Sequence, residues 1–420
     1  MRQQFLPITE LDQALPYKRL RDASWDFKGI PASSGIYAIH PYPAMFHFGI
    51  VRRVIREFSQ VGDWVLDPFM GSGVAATESL LHQRAFVGYD LNPLAIHIAK
   101  VRTTPLPVAA IKLSCEHLYQ HYREAAPEFI PTGPNLHYWF DDSTVQQLSR
   151  LHTAIRRLAE TDPEVERFFW VSFSEAVRIC SLSDEQEFKL VRRKTRSPSD
   201  VWSIFARVVW KNIAAIAHLS NARALFPMRM HCADFLHAEE DLEPNRFDLV
   251  ITSPPYGDSR TTVAYGQFSR LSLWWLGMSD VSDLDKRMLG SRRQPIARDL
   301  PSPTLYAVLD ELAHRDLKRA EEVFGFYADL FAAIQRIAPL VKRGKHVFFL
   351  VGNRRVKGIE LPTDKICADF FESQGYQHVR TYVRSISNKR MPVENSPTNI
   401  PGQRETTMRY EYLVHLQRMR

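Results

Sequence analysis

Two short segments carry the chemistry that this chain can do. The first is Asp67-Pro68-Phe69-Met70-Gly71-Ser72-Gly73, which ends an apolar run and opens a helical pattern. Glycines at such a turn let a ligand approach the backbone beyond the carboxyl ends of a parallel sheet. A second acid, Asp90, closes the next apolar run 23 residues after Asp67. A carboxylate there can accept hydrogen bonds from a ribose diol, so turn and acid together point to an adenosine-containing cofactor. The turn reads Gly-Ser-Gly-Val-Ala-Ala, which is not the dinucleotide fingerprint, and no P-loop pattern occurs. Neither nicotinamide binding nor nucleotide hydrolysis is supported.

The second segment is Thr252-Ser253-Pro254-Pro255-Tyr256, directly after the apolar run ending at Ile251. Two prolines cannot continue a strand and have no N–H to donate. The Pro254 carbonyl and the Ser253 side chain are acceptors suited to the two protons of an exocyclic amino group, and Tyr256 offers a face on which a base can stack. That amino nitrogen is a poor nucleophile because its lone pair delocalises into the ring. Engaging both protons favours a pyramidal nitrogen, able to attack a sulfonium methyl in line. Such catalysis is mostly positioning and electrostatics, and in a duplex the base must first be extruded. The competing reading is a proline-terminated strand with a surface tyrosine.

These segments need a sheet to hold them. Residues 63–69 and 85–90 read as strands flanking a helix at 74–83, a βαβ unit that implies parallel pairing. Helical periodicity fills 143–159, with Ser143 as N-cap, then 164–180 and 201–219. Residues 112–222 therefore read as a helical insertion. The strand pattern resumes at 228–234, 247–252 and 346–351, with helices at 320–340 and 361–374. Two last strands, 378–386 and 406–417, flank the loop Ser387-Asn388-Lys389-Arg390-Met391-Pro392. The expected fold is α/β: a doubly wound, mostly parallel sheet with an antiparallel C-terminal hairpin and a helical insertion. Three parts follow: 1–111 with the cofactor turn, 112–222 as the insertion, and 223–420 with the catalytic loop.

The composition of the 420 residues is that of a globular protein, 45% hydrophobic and 24% charged, with a net charge of +7. Basic runs at 189–196 and 342–357 and a basic C-terminal stretch tilt the partner toward nucleic acid. Four scattered cysteines give no close pair, which fits a reducing compartment. The N-terminus has no signal-peptide pattern and no run reaches membrane-span length, so a cytoplasmic protein with no membrane partner is expected. The histidines show no metal-binding spacing, so no metal is expected. His40 is not assigned a base role.

Together these residues resemble the amino-directed DNA methyltransferases that use S-adenosylmethionine, of the group found in restriction–modification systems. The resemblance rests on His40-Pro41-Tyr42-Pro43-Ala44, the Asp67–Gly73 turn, Asp90, Asp234-Phe235 and the Thr252–Tyr256 loop. It implies a Rossmann-like class I methyltransferase fold. It also implies that Asp67, Phe69, Gly71, Ser72, Gly73, Asp90, Asp234 and Phe235 hold the cofactor, with Ser253, Pro254, Pro255 and Tyr256 as the catalytic loop. Ser in first place, in the apolar-Thr-Ser-Pro-Pro-aromatic context of Ile251–Tyr256, resembles the cytosine-N4 enzymes. Adenine-N6 enzymes more often carry Asp or Asn there. The expected function is therefore sequence-specific cytosine-N4 methylation of double-stranded DNA, protecting it from a separate partner endonuclease. The alternatives are an adenine-N6 enzyme with an unusual Ser loop and an RNA guanine-N2 enzyme. Two segments are candidates for reading bases: the insertion with its basic run 189–196, and 257–318, which carries Arg260, Arg270, Arg287, Arg292 and Arg293. Tyr265 and Phe268 within the latter read equally as pocket wall or as core.

Overall fold

A computed structural model describes residues 17–132, 135–158, 162–184, 187, 189–193, 200–239, 242–257, 263–278, 283–386, 394–395, 405–406 and 408–419. The 387–392 loop, Arg260 and residues 194–196 of the basic run lie outside the described residues.

The strands in chain order are β1 (Arg19–Arg21), β2 (Trp64–Asp67), β3 (Ala85–Asp90), β4 (Met228–Cys232), β5 (Phe247–Thr252), β6 (Val341–Val351), β7 (Arg355–Val356), β8 (Ile359–Glu360), β9 (Tyr376–Ser385), β10 (Glu394–Asn395), β11 (Glu405–Thr406) and β12 (Tyr410–Arg418). Eight of them form one sheet in the order β1-β9-β12-β6-β5-β2-β3-β4. Only β12 runs antiparallel to its neighbours, β6 and β9. The remaining pairs are parallel. This is the expected doubly wound, mostly parallel sheet closed by an antiparallel hairpin.

Successive strand residues point to opposite faces, so one apolar run builds two cores. Val65, Phe86, Leu249, Ile251 and Phe348 face one layer. Leu66, Val87, Val250, Val347 and Phe349 face the other. The first layer holds α1 (Phe48–Phe58), α2 (Val74–Leu81) and α3 (Pro93–Thr103). It continues without a break through α4 (Val108–Glu124), α5 (Leu136–Trp139), α6 (Asp142–Leu158), α7 (Pro163–Cys180) and α8 (Val201–Ile216), the helices of the stretch read in sequence as an insertion, and into α9 (Tyr265–Trp275). After α10 (Leu284–Arg287), the second layer holds α11 (Pro303–Arg315), α12 (Leu317–Ile337) and α13 (Thr363–Glu372). The segment Leu317–Leu340 is long and apolar enough to cross a membrane, yet 61% of its apolar window is buried within the protein, as in a core helix.

Three local readings change. Asp141, not Ser143, caps α6: its carboxylate accepts from the Thr144 amide at 2.8 Å. Strand β6 starts at Val341, five residues before the apolar run, because Lys342 and Lys345 reach Asp248 of β5 at 2.8 and 3.2 Å. Strand β1 is too short and charged to read as a strand. It is fixed by pairing with β9 and by the ion pair from Arg19 to buried Asp364 at 2.8 Å.

Candidate functional site

Strand order reverses between β2 and β5, the position at which ligands of such sheets bind beyond the carboxyl ends of the strands. A cavity of about 860 Å³, part of it open to solvent, occupies this position. Asp67, Phe69, Gly71, Ser72, Asp90, Asp234, Phe235, Ser253 and Pro255 all line it. Residues more than 160 apart in sequence thus share one space, as the two motifs require.

The Asp67–Gly73 turn is held by its own backbone and by two acids. Gly71 (φ +51°) and Gly73 (φ +78°) adopt left-handed backbone that other residues resist. Gly73 caps α2 rather than lining the cavity, and its Cα is pressed against Ala99 of α3. Asp90 accepts the Gly71 amide at 3.0 Å and the Asn92 amide at 2.8 Å. Asp90 therefore braces the turn whatever else it binds. Asp67 accepts from the Phe69 amide at 3.1 Å and from the Thr252 hydroxyl at 2.5 Å. The last bond joins the end of β2 to the end of β5, the two strands at the reversal point. Burial pushes the Asp67 carboxyl up to about 7, against the Thr252 and Phe69 hydrogen bonds. Burial likewise pushes Asp90 up to about 6.

Asp234 and Phe235 follow β4. The Phe235 ring meets Tyr89 at 5.4 Å and Phe69 at 6.4 Å, edge to face, forming an aromatic wall. The Asp234 carboxylate accepts the Leu236 amide at 3.0 Å and lies 2.8 Å from His237 Nδ1.

The segment from Tyr42 to Phe46 closes another side of the cavity. His40 (φ +52°) and Ala44 (φ +48°) both sit in left-handed backbone. Such strain costs roughly 1–3 kcal/mol per residue and concentrates at functional sites. His40 is fully buried beside this wall, with Nδ1 2.7 Å from the Pro41 carbonyl. Burial lowers its pKa to about 3, so the imidazole is neutral and donates from Nδ1.

Sequence reasoning missed the residues that tie these parts together. Arg102 is fully buried on α3. Its guanidinium donates to the Ser72 hydroxyl at 2.8 Å and to the Ser72, Tyr37, Ile39 and His40 carbonyls. Asn92 donates to the Tyr42 hydroxyl at 3.1 Å and to Ser269 Oγ on α9 at 2.7 Å, while its own carbonyl caps α3. Tyr265 and the Arg287–Leu289 segment also line the cavity, whereas Phe268 is buried core stacked under Arg178. Of these, Tyr265 and Arg287 were candidates in the sequence, whereas nothing local marked Arg102 or Asn92.

In the Thr252–Tyr256 loop, Ser253 and Pro255 line the cavity and Pro254 between them is buried. Tyr256 lies beyond the cavity wall, and its hydroxyl donates to Glu411 Oε1 of β12 at 3.0 Å. The basic run 189–193 is engaged locally: Arg192 donates to the Tyr138 carbonyl at 2.7 Å and Arg193 pairs with Asp184 at 3.1 Å. Among the described residues no cluster of His, Cys, Asp or Glu could hold a metal ion.

The sheet order with its cavity at the reversal point defines a class I methyltransferase fold. Residues 8–101 match the DNA methylase family model. Over 410 residues the chain is 34% identical to Type II methyltransferase M.MvaI of Kocuria varians, covering 90% of each protein. A shorter stretch of 77 residues is 35% identical to Type II methyltransferase M.BglI of Bacillus subtilis, covering 18% of this chain and 22% of that one. An rRNA methyltransferase structure from Streptomyces viridochromogenes aligns over 92% of this chain and 94% of its own at 11% identity, with a TM-score of 0.30. The chain belongs to the type II DNA methyltransferases of restriction–modification systems. Methyltransferases of this family use S-adenosylmethionine.

Proposed function

We propose that this chain transfers a methyl group from S-adenosylmethionine to the N4 amino group of cytosine in double-stranded DNA. The observation that carries this reading is that Ser253 and Pro255 open onto the same cavity as Asp67, Gly71, Asp90 and Asp234. The lining residues fit the cofactor: three acids for a cation and a ribose, glycine backbone for close approach, and the Phe69–Phe235 wall for a purine. Asp67, Phe69, Gly71, Ser72, Asp90, Asp234 and Phe235 would hold it, with Gly73 shaping the turn. When bound, it supplies an electrophilic methyl on a sulfonium.

The protein's part is positioning. The Ser253 side chain and the Pro254 carbonyl accept the two amino protons of a base swung out of the helix. The Tyr256 ring stacks on that base. The Asp67–Thr252 bond fixes the distance between the cofactor turn and the root of this loop. Cytosine is preferred because the loop begins with Ser253 in the Ile251–Tyr256 context. The insertion 112–222 and the segment 257–318 are the two candidates for reading sequence, and a separate endonuclease is the expected partner.

The test is product analysis. Purified protein is incubated with labelled S-adenosylmethionine and plasmid DNA, and the digested nucleosides are identified by mass spectrometry. N4-methylcytosine is the expected product. N6-methyladenine would overturn the base assignment, and label found only in RNA would overturn the DNA substrate.

A further inference from the structure

Tyr256 is anchored by a chain of charged groups that the reaction as described does not use. Its hydroxyl donates to one oxygen of Glu411 at 3.0 Å, and the other oxygen is ion-paired with Arg384 of β9. Arg384 is buried, and it donates through Nε to the Trp25 carbonyl at 2.8 Å and through Nη2 to the Asp26 carbonyl at 3.3 Å. Asp26, fully buried, accepts the Ser385 amide at 2.8 Å and pairs with Arg21 of β1 at 2.6 Å. Gly352 leaves room for the ring: a Cβ there would lie 2.8 Å from Tyr256 Cδ2.

A buried phenol needs only one acceptor, and any carbonyl would serve. Here the acceptor is a carboxylate whose second oxygen is fixed by a guanidinium, itself pinned to main chain. Charge-assisted bonds of this kind are shorter and more directional than neutral ones. The hydroxyl lies on the ring's rotation axis, so the anchor fixes the ring's direction and depth, and it acts on the plane through the preference of a phenolic O–H to lie in the plane of its ring; a stacking platform must hold all three constant. Burial and the Glu411 charge also hold the Tyr256 hydroxyl protonated, so it stays a donor.

We propose that Glu411, held by Arg384, is a positioning residue that locks the Tyr256 ring in the orientation needed to stack on the target base. The inference rests on the stacking role given to Tyr256 above. Glu411 touches neither base nor cofactor cavity, so its loss acts on turnover and not on cofactor binding.

The experiment compares Tyr256→Phe, Glu411→Gln, the double variant and Tyr256→Ala in full-length protein. Methyl transfer to plasmid DNA, S-adenosylmethionine affinity by calorimetry and thermal unfolding are measured for each. Tyr256→Phe keeps the ring and remains informative if Glu411→Gln folds poorly; because the hydroxyl also accepts from Ser253 Oγ at 3.5 Å, Glu411→Gln, which leaves that contact, and the double variant separate the two partners. The expected result is a fall in kcat of roughly tenfold or more for Tyr256→Phe and for Glu411→Gln. Cofactor affinity stays unchanged and the double variant is no worse than either single one. Wild-type kcat in Tyr256→Phe would overturn the proposal, and so would additive losses in the double variant. Wild-type kcat in Tyr256→Ala would instead remove the stacking role itself, a distinct failure.

Discussion

Cofactor affinity should fall steeply as the medium becomes acidic. Two carboxyls line the cavity, buried Asp67 pushed up to about 7 and half-buried Asp90 to about 6, both chiefly by desolvation. A cationic ligand favours their ionised forms, so binding must drive off whatever protons they carry. The sign follows: affinity is highest above the raised pKa values and is lost as pH falls through them. At pH 6, one unit below the Asp67 value, about one Asp67 in eleven is ionised, a loss of about tenfold. Asp90, half ionised there, adds about twofold, for a total of about twentyfold or ~1.8 kcal/mol. Other titratable or charged groups lining the cavity are Asp234, Tyr42, Tyr265 and Arg287. Burial raises both tyrosines, so they stay neutral across this range. The assay is calorimetric titration of S-adenosylmethionine from pH 5.5 to 8.5 in buffers of different ionisation enthalpy, which counts the protons released. S-adenosylhomocysteine, without the sulfonium charge, should give a shallower slope. A flat affinity for S-adenosylmethionine across the range, or equal slopes for the two ligands, would refute the reasoning.

Two substitutions test the scaffold. Gly73→Ala places a Cβ 2.5 Å from the Ala99 Cβ and 3.0 Å from its Cα, in backbone at φ +78°. It should cost about 2 kcal/mol or more, read as a lower melting temperature, and an unchanged midpoint would mean that α2 and α3 can separate freely. Arg102→Lys keeps the charge but cannot span Ser72 and three further carbonyls. It should lower stability by about 3 kcal/mol and weaken S-adenosylmethionine binding; normal binding in a stable variant would detach the glycine turn from the Tyr37–His40 segment.

The parts of the site that were legible in sequence are those written contiguously. Gly71 and Gly73 announce a left-handed turn because few other residues tolerate one, and Pro254-Pro255 announces a strand end because neither can pair. The sheet was legible for a related reason: β5 is buried on both faces along its whole length, so Leu249-Val250-Ile251 stands out as an apolar run even though Asp248 interrupts the strand near its start. What was hidden is pairing across the chain. Thr252 reaches Asp67 over 185 residues, Asn92 reaches Ser269 over 177, and Tyr256 reaches Glu411 over 155. Nothing local marks Arg102 either. On a helix with Lys100 two residues before it, it reads as a solvated charge, and only the packing of α3 against the glycine turn buries it. The insertion was separable as a helical pattern, but its Phe168, Phe169 and Phe173 belong to the same core as β2 and β3.

The distribution of charge resolves a conflict that the proposed function creates. An enzyme acting on DNA must attract a polyanion, and this chain carries a net +7. The same enzyme must hold a cationic cofactor within reach of that polyanion. The charges of the interior and the cavity are partitioned accordingly. Asp67, Asp90 and Asp234 converge on the cavity at the strand ends, where Arg287 is the cation among the described lining residues. The buried arginines nearby are turned to other partners: Arg102 to Ser72 and main-chain carbonyls, Arg178 to the Phe268 carbonyl, and Arg384 to Glu411. Each neutralises backbone dipoles or an acid outside the cavity, so none cancels the field of the cavity carboxylates. Under the proposed function a cationic cofactor would meet the cavity carboxylates in a low-dielectric crevice, while the net +7 of the chain would attract the DNA.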